Sequence, residues 1–241
     1  MGTQTTAEVY EDRVLLRVAT TNQGDEPAWN VRIEALFPKG PQTSKLFRRL
    51  GVGATAEHTF EWNTPGARYR RVAIPLLTHY TDSNYYAFSG VSGIELALGE
   101  PPALALEAST EMVDLDPAGR FPIRLSSADG EPHAVRVRLV TPAEISVRPA
   151  SADVEVPVTG DGIASFELEN HTGLPDSVYG VWAVVTEDTP EGIVESGVGG
   201  TVRLLEPSYP TFRFAVGTLF GSAGLLFLAW QLGAFRRFRR P

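Results

Sequence analysis

The run VLLRVATTNQGDEPAWNVRIEALFPKG, residues 14–40, carries two short apolar alternations separated by a turn. Val14, Leu16 and Val18 alternate around Arg17, and Val31, Ile33 and Ala35 alternate with Arg32 and Glu34. A side-chain period of two with one apolar face is the pattern of a half-buried antiparallel strand. Between the two runs stands Asn22-Gln23-Gly24-Asp25, and after the second comes Pro38-Lys39-Gly40-Pro41. These residues reverse a chain because Gly accepts positive φ, Pro presets φ and Asn or Asp caps nearby backbone.

The same rhythm continues on the C-terminal side. Leu46 and Leu50 bracket Arg48-Arg49, Phe60 and Trp62 flank Glu61, and Val72, Ile74 and Leu76 keep the period. Asn63-Thr64-Pro65-Gly66 and Asp82-Ser83-Asn84 supply further turns. About seven strands in a module of roughly 100 residues is the count of a β-sandwich. Pro101-Pro102 marks a boundary. A second set of strands is expected at 103–108, 121–126, 135–140, 154–158, 163–168, 178–185 and 198–204. The expected fold is all-β, with sandwiches over residues 1–100 and 101–206.

The composition excludes several function classes. The chain of 241 residues has no cysteine, so disulfides, thiolate metal sites and cysteine nucleophiles are ruled out. Residues 1–100 hold 10 basic and 11 acidic side chains, while residues 101–206 hold 6 and 18. An acidic second half argues against nucleic acid, whose binding requires clustered cations.

The end of the chain reads differently. FAVGTLFGSAGLLFLAWQLGAF, residues 214–235, contains no charge. As a helix it is about 33 Å long, enough to cross a hydrocarbon core of about 30 Å. A transmembrane helix is therefore expected at 214–235, after a linker at 207–213. Trp230 fits the membrane interface, and Arg236, Arg237, Arg239 and Arg240 form a basic tail at 236–241 that favours the cytoplasmic side. Gly217, Gly221 and Gly224 form a small-residue stripe suited to packing against another membrane helix. The N-terminal modules are then extracytoplasmic, periplasmic or at the cell surface. Met1–Arg13 has neither a basic start nor an apolar core, so a leader removed or omitted is expected rather than a tail anchor.

Residues 20–38, 50–66 and 72–89 resemble the bacterial cell-adhesion-related domain, an immunoglobulin-like sandwich. The resemblance covers residues 8–96. It is carried by Asn22, Gly24, Ala28 and Val31, by Leu50 and Gly53, and by Tyr80 with Asp82. LPDSVYGVWAVVTED, residues 174–188, resembles the late strands of bacterial immunoglobulin-like domains. Glu206-Pro207-Ser208, the apolar span and the arginines loosely resemble the sorting signals of bacterial surface proteins. The expected architecture is two tandem immunoglobulin-like β-sandwiches followed by one C-terminal transmembrane α-helix, and the resemblance implies a binding or structural module with no catalytic residues.

Searching for chemistry gives little. His58, His79, His133 and His171 lack zinc-site spacing, although His58 and His79 lie on expected strands of one module. No nucleophile elbow precedes a helix, and no Gly-rich loop joins a strand to a helix. Turn carboxylates at Asp82, Asp161, Glu187, Asp188 and Glu191, with Asn84, are calcium candidates without the spacing of a calcium loop. Asn170-His171-Thr172 is a glycosylation sequon. Tyr80, Tyr85, Tyr86 and Phe88 gather around one hairpin and form the candidate binding surface. The expected function is non-enzymatic, without cofactor or bound metal. The chain is read as a single-pass membrane protein whose sandwiches contact another protein, as adhesion module or accessory subunit. Envelope glycan or cell-wall polymer binding is the alternative. Expected partners are the lipid bilayer and a protein, with no nucleic acid.

Overall fold

A computed structural model of the chain describes residues 1–64, 68–100 and 104–206. The span expected at 214–235 lies outside the described residues, together with its linker, its tail and the residues named on them. Among the described residues no helix is long and apolar enough to cross a membrane, and all regular structure is β.

Eight strands precede residue 100: β1 (Gly2–Val9), β2 (Arg13–Thr21), β3 (Ala28–Phe37), β4 (Gly40–Thr43), β5 (Phe47–Leu50), β6 (Thr55–Asn63), β7 (Tyr69–Thr81) and β8 (Ala87–Ala97). Nine follow: β9 (Leu106–Thr110), β10 (Val113–Leu115), β11 (Ala118–Ser127), β12 (His133–Val140), β13 (Ile145–Arg148), β14 (Ser151–Val156), β15 (Asp161–Asn170), β16 (Val178–Thr189) and β17 (Gly192–Leu204). The alternating runs at 14–18 and 31–35 fall on β2 and β3, with their apolar members buried. β1 carries no apolar run and was not legible as a strand, yet all eight of its residues pair with β2. It lies at a sheet edge, where polar and β-branched residues serve because one side meets water.

The arrangement is sandwich-like. β1-β2-β6 form one sheet and β13-β15-β11-β9 another. A third sheet of ten strands runs through both halves of the chain in the order β14-β12-β16-β17-β7-β3-β4, with β10, β5 and β8 attached. Leu16, Phe60, Ile33 and Ile74 belong to the core between the first sheet and the N-terminal part of the long sheet. Phe121, Phe166, Val137 and Val181 belong to the core on the other side of the chain's midpoint. Full burial of each such large side chain contributes about 1.5–3 kcal/mol. A small third cluster of Ala28, Val31, Leu50 and Ala56 sits under Tyr80.

Residues Met1–Leu205 form one compact unit, because the two halves share backbone pairing as well as side-chain contacts. β17 runs parallel to β7 at Ile193–Tyr69 and Val194–Arg71. The Ile193 amide donates to the Arg68 carbonyl at 2.8 Å, and Arg70 Nε donates to the Glu191 carbonyl at 2.9 Å. The Gly197 amide donates to Glu95 Oε1 at 2.8 Å and the Ala73 amide to Glu195 Oε2 at 3.2 Å. Trp182 of β16 lies directly over Gly93 and Gly197, where any added Cβ would overlap its ring. Burial raises the Glu195 carboxyl above its ordinary value, against the lowering effect of the Ala73 amide.

Candidate functional site

β7 and β8 form a long antiparallel hairpin whose last pair is Thr81–Ala87. Asp82 builds its tip. Its backbone amide donates to the Tyr86 carbonyl at 3.1 Å, and its carbonyl accepts from the Tyr85 amide at 3.2 Å. Its Oδ1 accepts from the amides of Asn84 and Tyr86 at 2.8 and 2.9 Å. An aspartate reaching its own backbone two residues on is the local chemistry that makes a turn. The turn places Tyr85 at φ 65, a left-handed conformation that a bulky residue adopts only when its surroundings impose it. Tyr85 and Tyr86 project into solvent, 82% and 61% exposed.

The tip is braced from the side. Ser83 Oγ donates to Glu26 Oε2 at 2.9 Å, tying the hairpin to the loop between β2 and β3. That loop is organised by buried Asn22, whose Nδ2 donates to the carbonyls of Glu26 and Leu50 at 2.8 and 3.1 Å. Asn22 Oδ1 accepts from the Gly24 amide at 3.1 Å. Gly53, at φ 72, donates its amide to the Asn22 carbonyl at 2.8 Å. The residues that carry the family resemblance thus build the support beneath the tip, with Ala28, Val31 and Leu50 in the small core and Tyr80 packed on it.

Of the four aromatic residues expected to form one surface, the structure divides the work. Tyr85 and Tyr86 are exposed, while Tyr80 and Phe88 are half-buried and stack on each other at 5.5 Å. One further aromatic had no signal in the sequence. Trp29 is 37% exposed on the edge-ward side of β7, paired with Thr81, and Arg49 lies over its ring at 5.5 Å. A bulge in β3 at Asn30, φ 54, turns Trp29 outward while Val31 stays in the core.

Beside the hairpin turn a cleft of about 200 Å³ opens, lined by Asn30, His79, Tyr80, Phe88, Glu144 and Thr172 among others. Glu144, from the loop before β13, is 3% exposed. Its Oε1 accepts from the Ser89 amide at 2.6 Å and its Oε2 from the Ser89 hydroxyl at 2.5 Å. Ser89 Oγ in turn accepts from the Ala143 amide at 2.7 Å. Burial, and then the Glu144 charge, raise the phenols of Tyr80 and Tyr179.

The other candidate residues do not converge. His58 packs edge-on against Phe60 at 4.6 Å, and burial lowers its pKa. His79, on a different sheet, faces Glu34 at 3.4 Å. Asp188 pairs with Arg68 at 3.0 Å, and Glu187 with His133 at 2.7 Å. Among the described residues no three His, Asp or Glu side chains are grouped to hold a metal ion. Asn170 of the sequon turns its side chain inward, donating to the Gly173 carbonyl at 3.1 Å. His133 is held between two carboxylates, Nδ1 to Glu187 and Nε2 to Asp129 at 2.9 Å. Burial opposes charge on that ring, but the hydrogen bonds it donates to both carboxylates outweigh burial and raise its pKa. The Glu131 amide and the His133 ring lower Asp129 to about 2.

No family model matches the chain, and no curated protein matches it. Among solved structures it is similar to Escherichia coli alpha-2-macroglobulin activated by porcine elastase, at 9% identity and a TM-score of 0.30. That match covers 84% of this chain and 22% of the other. The native conformation of Escherichia coli alpha-2-macroglobulin matches at 8% identity and 0.31, covering 84% of this chain and 17% of that one. A protein of unknown function from Porphyromonas gingivalis W83 matches at 13% identity and 0.29, covering 84% and 99%. The chain therefore spans about a fifth of the length of the macroglobulin chains. Nothing of their activity is carried over.

Proposed function

We propose that this chain is a non-enzymatic, single-pass membrane protein. Its two immunoglobulin-like halves stand outside the cytoplasm and present the β7–β8 hairpin tip to a protein partner. The observation that carries the reading is the tip itself. Two large aromatic side chains are held in water by a turn fixed through Asp82 and Ser83, at the cost of a left-handed tyrosine. Solvent exposure of tyrosine on a preorganised loop disfavours the free state and favours a bound one, and tyrosine is enriched among residues that dominate binding energy. The uncharged span at 214–235 and the arginines after it support the anchor and its orientation. The fused halves suit an adhesion module or an accessory subunit, since a single compact unit transmits the position of the tip without a hinge.

Exposed Trp29, paired with Thr81 just before the hairpin turn, favours one second reading, an envelope glycan laid across aromatic faces. Co-purification from native membranes in mild detergent separates the two. The full chain is compared with Tyr85→Ala/Tyr86→Ala and with a chain lacking residues 207–241. Defined membrane proteins are expected with the full chain, none with the chain lacking residues 207–241, and at least tenfold less with the tyrosine variant. Equal recovery with the tyrosine variant rejects the tip as the docking site, and release by soluble envelope glycan moves the assignment to the second reading.

A further inference from the structure

The cleft beside the hairpin turn has an unusual charge balance. Glu144 is almost wholly buried, and among the described residues no ion pair joins it to a lysine, arginine or histidine; His79, which lines the same cleft, faces Glu34 at 3.4 Å instead. Its hydrogen-bond donors are neutral, the amide and hydroxyl of Ser89. A carboxylate oxygen offers two lone pairs, so each Glu144 oxygen keeps acceptor capacity after these bonds. Buried charges in proteins are ordinarily paired, because desolvation without a counter-charge is costly. The same cleft is lined by Tyr80 and Phe88, whose stacked rings give it an apolar wall beside the carboxylate. At about 200 Å³ it is smaller than the roughly 300–1,000 Å³ of sites for drug-sized ligands. It suits the head of one side chain. The acidic excess of residues 101–206 favours approach of a cation over an anion.

We propose that this cleft is a socket for an alkylammonium or alkylguanidinium group, and that its occupant in the complex is a lysine or arginine side chain of the partner protein. The proposal rests on the protein-binding reading above and adds the partner's chemistry to it. The tyrosine tip lies one step along the same hairpin, so a partner covering the tip would carry a basic residue to the cleft. Glu144 acts as the counter-charge and the aromatic pair as the wall.

The test uses the full chain in nonionic detergent and two small probes, propylammonium chloride and propylguanidinium chloride. Sodium chloride at equal ionic strength and 1-propanol are the controls. A ligand that binds only the folded state raises the unfolding midpoint in a saturable way. Both cations are expected to do so, and neither control is. Glu144→Gln, which removes the charge and keeps the shape, is expected to weaken the apparent affinity at least tenfold. Thr172→Phe, which fills the cleft from its exposed rim and leaves Glu144 untouched, is expected to abolish the effect and also to reduce partner recovery. Tyr85→Ala/Tyr86→Ala is expected to leave cation binding unchanged, so failure of the tip assignment and failure of the socket are read separately. Absence of a saturable shift beyond the controls overturns the socket. A shift that survives Thr172→Phe overturns its location. Partner recovery undiminished by Thr172→Phe, with cation binding lost, overturns the assignment to a partner side chain.

Discussion

The junction between the two halves and the hairpin tip use the same kinds of residue in opposite ways. At the junction, Trp182 covers glycines and buried Glu195 reaches a backbone amide across the sheet. At the tip, Tyr85 and Tyr86 stand in water, and Asp82 spends its hydrogen bonds on its own turn. An aromatic ring laid on glycine backbone contributes packing and fixes geometry. An aromatic ring held away from any neighbour contributes nothing to the fold and is available to a partner. The difference separates stability from recognition, and each variant below moves one without the other.

The largest stability effect is expected at the junction. Gly197→Val or Gly93→Val drives a side chain into the Trp182 ring. Overpacking of this kind costs about 1–3 kcal/mol, and in a unit of about 200 residues each kcal/mol lowers the thermal midpoint by roughly 2–4 °C. Gly90→Ala on the same strand as Gly93 meets no neighbour and is the control, with an unchanged midpoint. A thermal scan that ranks Gly90→Ala with Gly197→Val breaks the account of the junction.

Next in size is the clamp on His133. Its folded pKa is raised above the ordinary 6.5, so the contribution is fully present below pH 6.5 and disappears as pH rises through the folded value. Denaturant titrations of wild type and His133→Phe are expected to differ most at pH 6 and to converge at higher pH. A gap that widens with pH contradicts the clamp. Smaller again is Glu195→Gln. Because the folded carboxyl is raised above 4.5, the wild type loses stability as pH climbs from 4.5 through the folded value. The glutamine mimics the protonated form and still accepts from Ala73. The variant is expected to match wild type below pH 4.5 and to exceed it at neutral pH.

The smallest stability effect belongs to the tip. Tyr85→Gly removes an exposed side chain from a left-handed position, so stability is expected to change by no more than about 0.5 kcal/mol. Partner recovery is nevertheless expected to fall. This variant sharpens the comparison most, because it sets an undisturbed fold beside a lost interaction.

What was legible in the sequence was whatever short-range chemistry encodes. The period-two runs on β2, β3 and β6 put Leu16, Ile33 and Phe60 in the core, and Asn22, Gly24 and Asp82 announced their turns. The hairpin aromatics were visible as a cluster, but the sequence did not say which two would remain in water. That division follows from register, since Tyr80 shares a face with the core residues of β7. β10 and β13 escaped because strands of three or four residues leave too few alternations to count. The junction escaped for a different reason. Ser89 meets Glu144 across 55 residues and Glu95 meets Gly197 across 102, and no local pattern records such pairings. The fused ten-stranded sheet, and with it the cleft, emerges only when both halves are in place.

The central claim is that the β7–β8 tip is a docking site for a protein. Its most direct test places a photo-reactive phenylalanine analogue at position 85 of the full chain in native membranes, with the same label at exposed Ile163 as control. A discrete protein adduct is expected from position 85, absent from position 163 and lost when Tyr86 is also changed to Ala. Adducts of equal intensity from both positions, or none from position 85 in membranes that yield the co-purifying proteins, would contradict it.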